Sequence, residues 1–502
     1  MDRSLFSRES DGAALCELMA TFASSGALST WCIGPGPFNP CDNWTGIRCS
    51  VVGGGVERVT YLDLFSLGLD GNLTSSIGNL DALQTLYLGF NSFGGSLPSS
   101  LGRLGALTSL GLNYNAFTST MPTTVAQLTN LRGLHVAGNK LTGPLPELTR
   151  LSLLQIVEIQ DNSLNGTLNH LAQLGSTLQH IDASDNSLSG SLFNFSGTYF
   201  DISQNNIEGS IDLLALLDNP EIQAVKLGGN KLAGCLSSAS LSGFASLTHL
   251  SLDSNRITGS LPTEIGLLTA LEHLNLGANL LEGPIVSQIA SLSALTSLEL
   301  GSTSLSGTIP SLIGLMSNLQ VLDISNNNQL SGAVPSSFCS FPHSVTLLLE
   351  STPRLTCLPA CLYSPEYNGV LKDKSLTEAC SYDVAPRPTS SPSASPASHR
   401  PTTGGNSNYH PTPLTPLTAL PTQERVRTNS STTRVQVGLG LEALYSIIAI
   451  LSLFLFALLL FWGWRCSRRR IGLELGLDVI PRPSSAVEKV VSPLYTEQAR
   501  RL

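Results

Sequence analysis

Residues 247–268 read LTHLSLDSNRITGSLPTEIGLL. Leu247, Leu250 and Leu252 are spaced L-x-x-L-x-L, and Asn255, Gly259 and Pro262 follow at fixed intervals. The frame L-x-x-L-x-L-x-x-N-x-L-x-G starts again at Leu83, Leu107, Leu131 and Leu271, and at Leu319 with one extra residue after the Asn. Its Asn falls at Asn91, Asn115, Asn139, Asn162, Asn186, Asn205, Asn230, Asn255, Asn279 and Asn327, with Thr303 standing in once. The steps are 23–25 residues, except one of 19 from Asn186 to Asn205. With weaker copies near Leu62 and Leu347, the chain carries about thirteen repeats.

The spacing dictates a structure. In L-x-L the leucines fall on one side of a short strand and the residues between them on the other. One repeat cannot bury its leucines alone, so repeats stack and each adds a strand to a parallel sheet. The Asn side chain is suited to bond backbone groups where the chain leaves the strand, and the Gly to permit a tight return. At roughly 4.8 Å per strand, such a stack has an inner surface of about 60 Å.

Composition agrees. Of 502 residues, 89 are Leu and 45 are Gly, while only 13% are charged. A disordered chain would be less apolar and more charged. The net charge of -9 speaks against a nucleic-acid partner, which calls for a basic face.

Residues 56–356 resemble the leucine-rich repeat family. The resemblance implies an α/β repeat solenoid, a right-handed superhelix with a parallel inner β-sheet. Second halves such as GSLPSSLGRL (95–104) and GSLPTEIGLL (259–268) look like the plant-type subclass, which adds a second short strand. Repeats five to eight read GTLNHL, GSLFNF, GSIDLL and GCLSSA. They lack the Pro, and local irregularity is expected there.

Residues 1–55 are similar to the plant-type N-terminal cap. That implies a helix with Leu15, Leu18 and Phe22 inward, Trp31 and Trp44 packed on the first repeat, and a Cys41–Cys49 disulfide. Cys16 and Cys32 are less typical of the family, and a bridge between them is a further candidate. Cys339, Cys357, Cys361 and Cys380 bracket a C-terminal cap at 357–380; they allow two bridges in three pairings, among which sequence does not choose. Cys235 stands alone mid-array and is expected to be a buried small hydrophobe.

Residues 381–436 are half Ser, Thr and Pro, a stalk or plain linker that cannot build a core. Residues 443–464 (ALYSIIAILSLFLFALLLFWGW) carry no charge and are long enough to cross a bilayer as a helix. Trp462 and Trp464 sit at one end, and Arg465, Arg468, Arg469 and Arg470 follow, so that end is expected in the cytosol. The sequons at Asn43, Asn72, Asn165, Asn194 and Asn429 all precede the span, as N-glycosylation in a type I cell-membrane protein requires. The tail, 465–502, has eight basic and four acidic residues, which suits the anionic lipid of an inner leaflet, and Cys466 is a palmitoylation candidate. No apolar run appears in MDRSLFSRESDG (1–12), so a secretion signal is expected upstream.

Neither a phosphate-binding loop nor H-E-x-x-H is present, the eight His show no metal spacing, and no enzyme activity, metal or cofactor is expected. The concave face is the candidate binding site. Its N-terminal part offers Tyr87, Phe90, Tyr114, Arg132 and His135, where exposed aromatics can anchor a ligand. The middle offers Glu158, Asp161, Asp182, Asp185 and Asp201, suited to a basic peptide, although Asp182 and Asp201 also occupy positions where plant-type repeats carry a structural Asp. Beyond lie Lys226, His249, Asp253, Glu272 and His273, a mixed strip suited to peptide or glycan. The architecture resembles plant receptor-like proteins without a kinase. That implies a peptide, glycan or protein ligand outside the cell and a co-receptor with a cytosolic effector domain. The alternative is an adhesion or surface-coat protein on a mucin-like stalk.

Overall fold

The computed structural model describes residues 3–380, apart from 23–25, 34–37, 54, 212–218, 238–240, 242, 365–368, 373–375 and 377. The stalk, the 443–464 segment, the tail, Asn429 and Cys466 lie outside the described residues. Among the described residues no helix is long and apolar enough to cross a membrane.

The repeat at 247–268 shows how the frame folds. His249–Ser251 is an inner strand, Arg256–Gly259 an outer strand and Thr263–Leu267 a short 3-10 helix. Leu247, Leu250, Leu252, Ile257, Leu261, Ile265 and Leu268 all point into the stack and are buried. Pro262 precedes the helix with φ −73° and ψ 146°, the extended geometry its ring favours. Gly259, at φ +82°, makes the sharp exit from the outer strand.

Stacking these units produces a sheet of fifteen strands among the described residues. From Val56–Asp63 onward every pairing in it is parallel and unshifted: Leu250 pairs with Leu274, Leu274 with Leu298 and Leu298 with Leu322. Short outer strands form a second parallel layer in three blocks, Asp70–Asn72 with Ser92–Gly94, Thr118–Thr120 to Ser163–Asn165, and Ser189–Gly190 to Arg354–Leu355. The core lies between the two layers.

The ladder Asn is the fastener. Asn255 Nδ2 donates to its own repeat at Leu252 O (3.0 Å) and to the preceding repeat at Leu227 O (3.0 Å), while Oδ1 accepts from Leu232 N (2.9 Å). The pattern holds from Asn91 to Asn327. The residue just before each Asn is left-handed whatever its type: Phe90, Tyr114, Asp161, Asp185, Ser254 and Ala278 all have φ between 49° and 56°. This strain is uncommon outside Gly and is sustained by inter-repeat bonds such as Ser254 N to Gly277 O (2.9 Å).

The middle departs from the pattern, where Pro is missing. Five-residue 3-10 helices occupy the outer turn at Ser75–Asn79, Ser99–Arg103, Thr123–Gln127, Thr263–Leu267, Ser287–Ser291, Ser311–Leu315 and Ser336–Ser340. Repeat five instead carries Asn169–Thr177, kinked at Gly175. In the short repeat Phe193, Phe195 and Phe200 fill the core together.

Both ends are closed. Leu15, Leu18, Phe22, Trp31 and Trp44 are buried, with the two indoles stacked at 5.5 Å, as the cap resemblance implies. Ile47–Val52 pairs antiparallel with Val56–Asp63 and covers the first edge of the sheet. Cys41 bonds Cys49, and Cys16 bonds Cys32. At the other end the pairing left open resolves as Cys339–Cys361 and Cys357–Cys380, and the cap adds the strand Val370–Lys372. Cys235 corrects an expectation: it is free and exposed. It sits in the outer strand Lys231–Cys235 between the inward Leu232 and Leu236, and alternation turns its side chain to solvent.

Candidate functional site

Each inner strand presents two side chains on its concave side, one either side of an inward leucine. The unshifted register lines these up in two rows. One runs Tyr87, Gly111, His135, Glu158, Asp182, Asp201, Lys226, Ser251, Asn275. The other includes Ser109, Gly133, Ile156, His180, Tyr199, Ala224, His249 and His273.

The middle of the face is one connected polar network. Glu158 lies between two imidazoles, with Oε2 2.9 Å from His135 Nδ1 and Oε1 3.8 Å from His180 Nε2. His180 stacks on Tyr199 at 4.3 Å. The Tyr199 hydroxyl donates to Asp201 Oδ2 (3.3 Å) and accepts from Lys226 Nζ (2.9 Å), which is itself 3.6 Å from Asp201. Burial holds His180 below the ordinary His range, against the pull of Glu158. Burial and the neighbouring charge of Asp201 push the Asp182 carboxyl up to about 7, against the bonds it accepts from Ser184. Burial, with Asp201 beside it, also drives the Tyr199 phenol upward.

Asp182 and Asp201 have a structural duty as well. Asp182 Oδ1 accepts from Ser184 N (3.2 Å) and Oγ (2.7 Å), and Asp201 Oδ1 from Ser203 N (3.1 Å) and Oγ (2.6 Å). Each closes the turn out of its strand, as Asp323 does with Ser325. Only the second oxygen of Asp201 faces Tyr199 and Lys226.

The aromatics form two columns near the N-terminal end. Tyr61 and Tyr87 lie on the strands, edge to face at 6.2 Å, with the Arg48 guanidinium 4.6 Å from the Tyr61 ring. Phe65, Phe90 and Tyr114 lie in the exit turns, at ring separations of 5.0 and 4.5 Å, each more than 40% exposed. Asp161 and Asp185 share that turn position, one residue before the ladder Asn, and so stand beside the strand rows. Arg132 and Glu272 are exposed and precede their strands. Asp253 accepts from Ser251 Oγ at 2.6 Å. Asn43, Asn72, Asn165 and Asn194 are all exposed.

Comparison with known proteins adds to this geometry. The leucine rich repeat N-terminal domain model matches residues 8–50. The leucine rich repeat model matches 82–104, 246–268 and 318–341. Among solved structures, the plant peptide hormone receptor RGFR1 in complex with RGF2 is similar at 25% identity and a TM-score of 0.50, over 60% of this chain and 56% of that one. PEPR1–AtPEP1 is similar at 29% identity and a TM-score of 0.51, over 68% of this chain and 55% of that one. The chain thus carries leucine rich repeats behind a leucine rich repeat N-terminal domain, and it is similar to the ectodomains of plant leucine-rich repeat receptors. It spans about half the length of these two receptor chains. No curated protein sequence matches it.

On this face three residues lie outside the sequence reading of the site, Tyr199, Tyr61 and Phe65, whereas His180 is placed by the frame on the inner face, at an x position of its strand. Tyr199 belongs to the 19-residue step, where the frame is hardest to align. His249 and His273 are 24 residues apart, which is one repeat, and their rings stack at 4.5 Å. In a solenoid, one repeat is the spacing that brings two side chains together.

Proposed function

We propose that the chain is a single-pass cell-surface receptor-like protein whose concave face binds an extracellular peptide and which signals through a partner carrying an effector domain. The observation that carries the reading is the network from His135 to Lys226. Three carboxylates, Glu158, Asp182 and Asp201, stand on successive strands with a single ammonium, Lys226, next in the same row, and the exposed aromatic column of Phe65, Phe90 and Tyr114 lies toward the N-terminal end. Such a face suits an extended peptide with a basic side chain over the acidic centre and an apolar one on Phe90 and Tyr114. The likeness to a peptide hormone receptor in complex supports it. Four disulfides support an oxidising compartment, and the uncharged 443–464 segment before an Arg cluster supports anchoring with the repeats outside.

The test is a peptide screen on the full-length chain displayed on cells. A basic peptide is expected to bind, Glu158→Gln and Tyr114→Ala each to weaken it about tenfold or more, and loss of 465–502 to spare binding while abolishing the response. Binding that ignores both substitutions would place the ligand elsewhere. Cell–cell contact that survives loss of the tail, with no peptide bound, would favour adhesion.

A further inference from the structure

We propose that His249, His273 and Glu272 form a binding site for a divalent transition cation such as Zn2+ on the concave face. His249 and His273 are direct partners on adjacent parallel strands, and their imidazoles stack at 4.5 Å with 28° between the planes. One ligand atom from each of His249, His273 and Glu272 lies within 4.8 Å of the others. That separation lets a single ion reach all three after small side-chain rotations, since Zn–N and Zn–O bonds are about 2.0–2.2 Å. Two imidazoles and a carboxylate are a ligand set for Zn2+, Cu2+ or Ni2+ rather than for Mg2+ or Ca2+.

The surroundings prepare the ligands. The Thr248 hydroxyl donates to Gln223 O at 2.9 Å, which commits its proton. Its lone pair then accepts from His249 Nδ1 at 2.9 Å, which fixes the tautomer and leaves Nε2 with a bare lone pair. The nearest cation, Lys226, reaches the other way, to Tyr199 and Asp201 on the preceding strand. The site involves none of the His135–Lys226 network and stands independently of the peptide reading.

The experiment is calorimetric titration of Zn2+ into the full chain in detergent, compared with variants. Wild type is expected to bind one Zn2+ equivalent more than the His249→Ala/His273→Ala double variant, and Glu272→Gln to bind at least about tenfold more weakly. Thr248→Val keeps all three ligands and is expected to lose about tenfold in affinity, with Thr248→Ser restoring it. That pair decides the matter if the double variant does not fold, as judged by its thermal midpoint in chelator. Unchanged Zn2+ stoichiometry and affinity in the double variant, or in Thr248→Val should only that variant fold, overturns the proposal. So does a wild type that binds no Zn2+.

Discussion

At the scale of single residues, one Asn does the work of four backbone partners. Asn255 is buried and its side chain bridges two repeats at once, so Asn255→Ala strips both a donor and an acceptor of their partners inside the core. A loss of about 2–4 kcal/mol is expected, read as a lower denaturation midpoint by urea titration. Thr303 shows the tolerated minimum: its hydroxyl, 3.1 Å from Leu300 O and 2.5 Å from Asn327 Oδ1, keeps contact with the ladder through the next Asn. Asp182 makes a second prediction, this one in pH. Its carboxyl is raised in the folded chain, so folding favours the protonated form, and the contribution present at acid pH is lost as pH rises toward about 7. Asp182→Asn removes that dependence while its Oδ1 still accepts from Ser184. Its melting temperature relative to wild type should therefore climb between pH 5 and pH 8; a constant difference would contradict the burial argument. The Asn positions were legible from spacing alone. The left-handed residue beside each was not, because Phe90, Asp161, Ser254 and Ala278 share no chemistry, only a place in the ladder.

At the scale of elements, the cap helix is joined to the array by more than its apolar face. Asp11, 1% exposed, takes the Arg58 guanidinium at 2.7 and 2.9 Å and the Val59 N–H at 3.0 Å. Arg58 also reaches Asp81 of the next repeat at 2.6 Å, so one guanidinium ties the helix Arg3–Met19, the first parallel strand and the second repeat. Asp11→Ala leaves that guanidinium half-sheltered and without its buried partner, and a destabilisation of about 3 kcal/mol is expected by thermal denaturation. Asp11→Asn, which still serves Val59 N–H, should cost less. Cap residues Leu15, Leu18, Phe22, Trp31 and Trp44 were readable as an apolar pattern with a family counterpart. Asp11 was not, since an acidic residue in a helix is ordinarily solvated. The same reasoning applies to the polar face. Its members are neighbours only across repeats of 19, 23, 24 and 25 residues, and a site assembled at unequal intervals leaves no linear motif.

At the scale of the described array, the parallel direction of the repeat strands from Val56–Asp63 onward followed from the frame, because each repeat meets only its neighbours, whereas the antiparallel Ile47–Val52 and the cap strand Val370–Lys372 did not. The outer layer did not follow so simply. It breaks into blocks, and the break between Asn165 and Ser189 coincides with the repeats that lack Pro. All four disulfides lie at the ends, enclosing 16, 8, 22 and 23 residues of sequence separation. Nothing covalent but the backbone joins Cys49 to Cys339. A single peptide bond cut in that interval should therefore separate the chain into two fragments on a non-reducing denaturing gel, without any reductant. Each fragment would keep one sealed end and gain one raw end, where a strand edge and a layer of leucines meet water. One protease nick would thus leave two halves held together by packing alone, whose separation needs denaturation but no change in redox conditions.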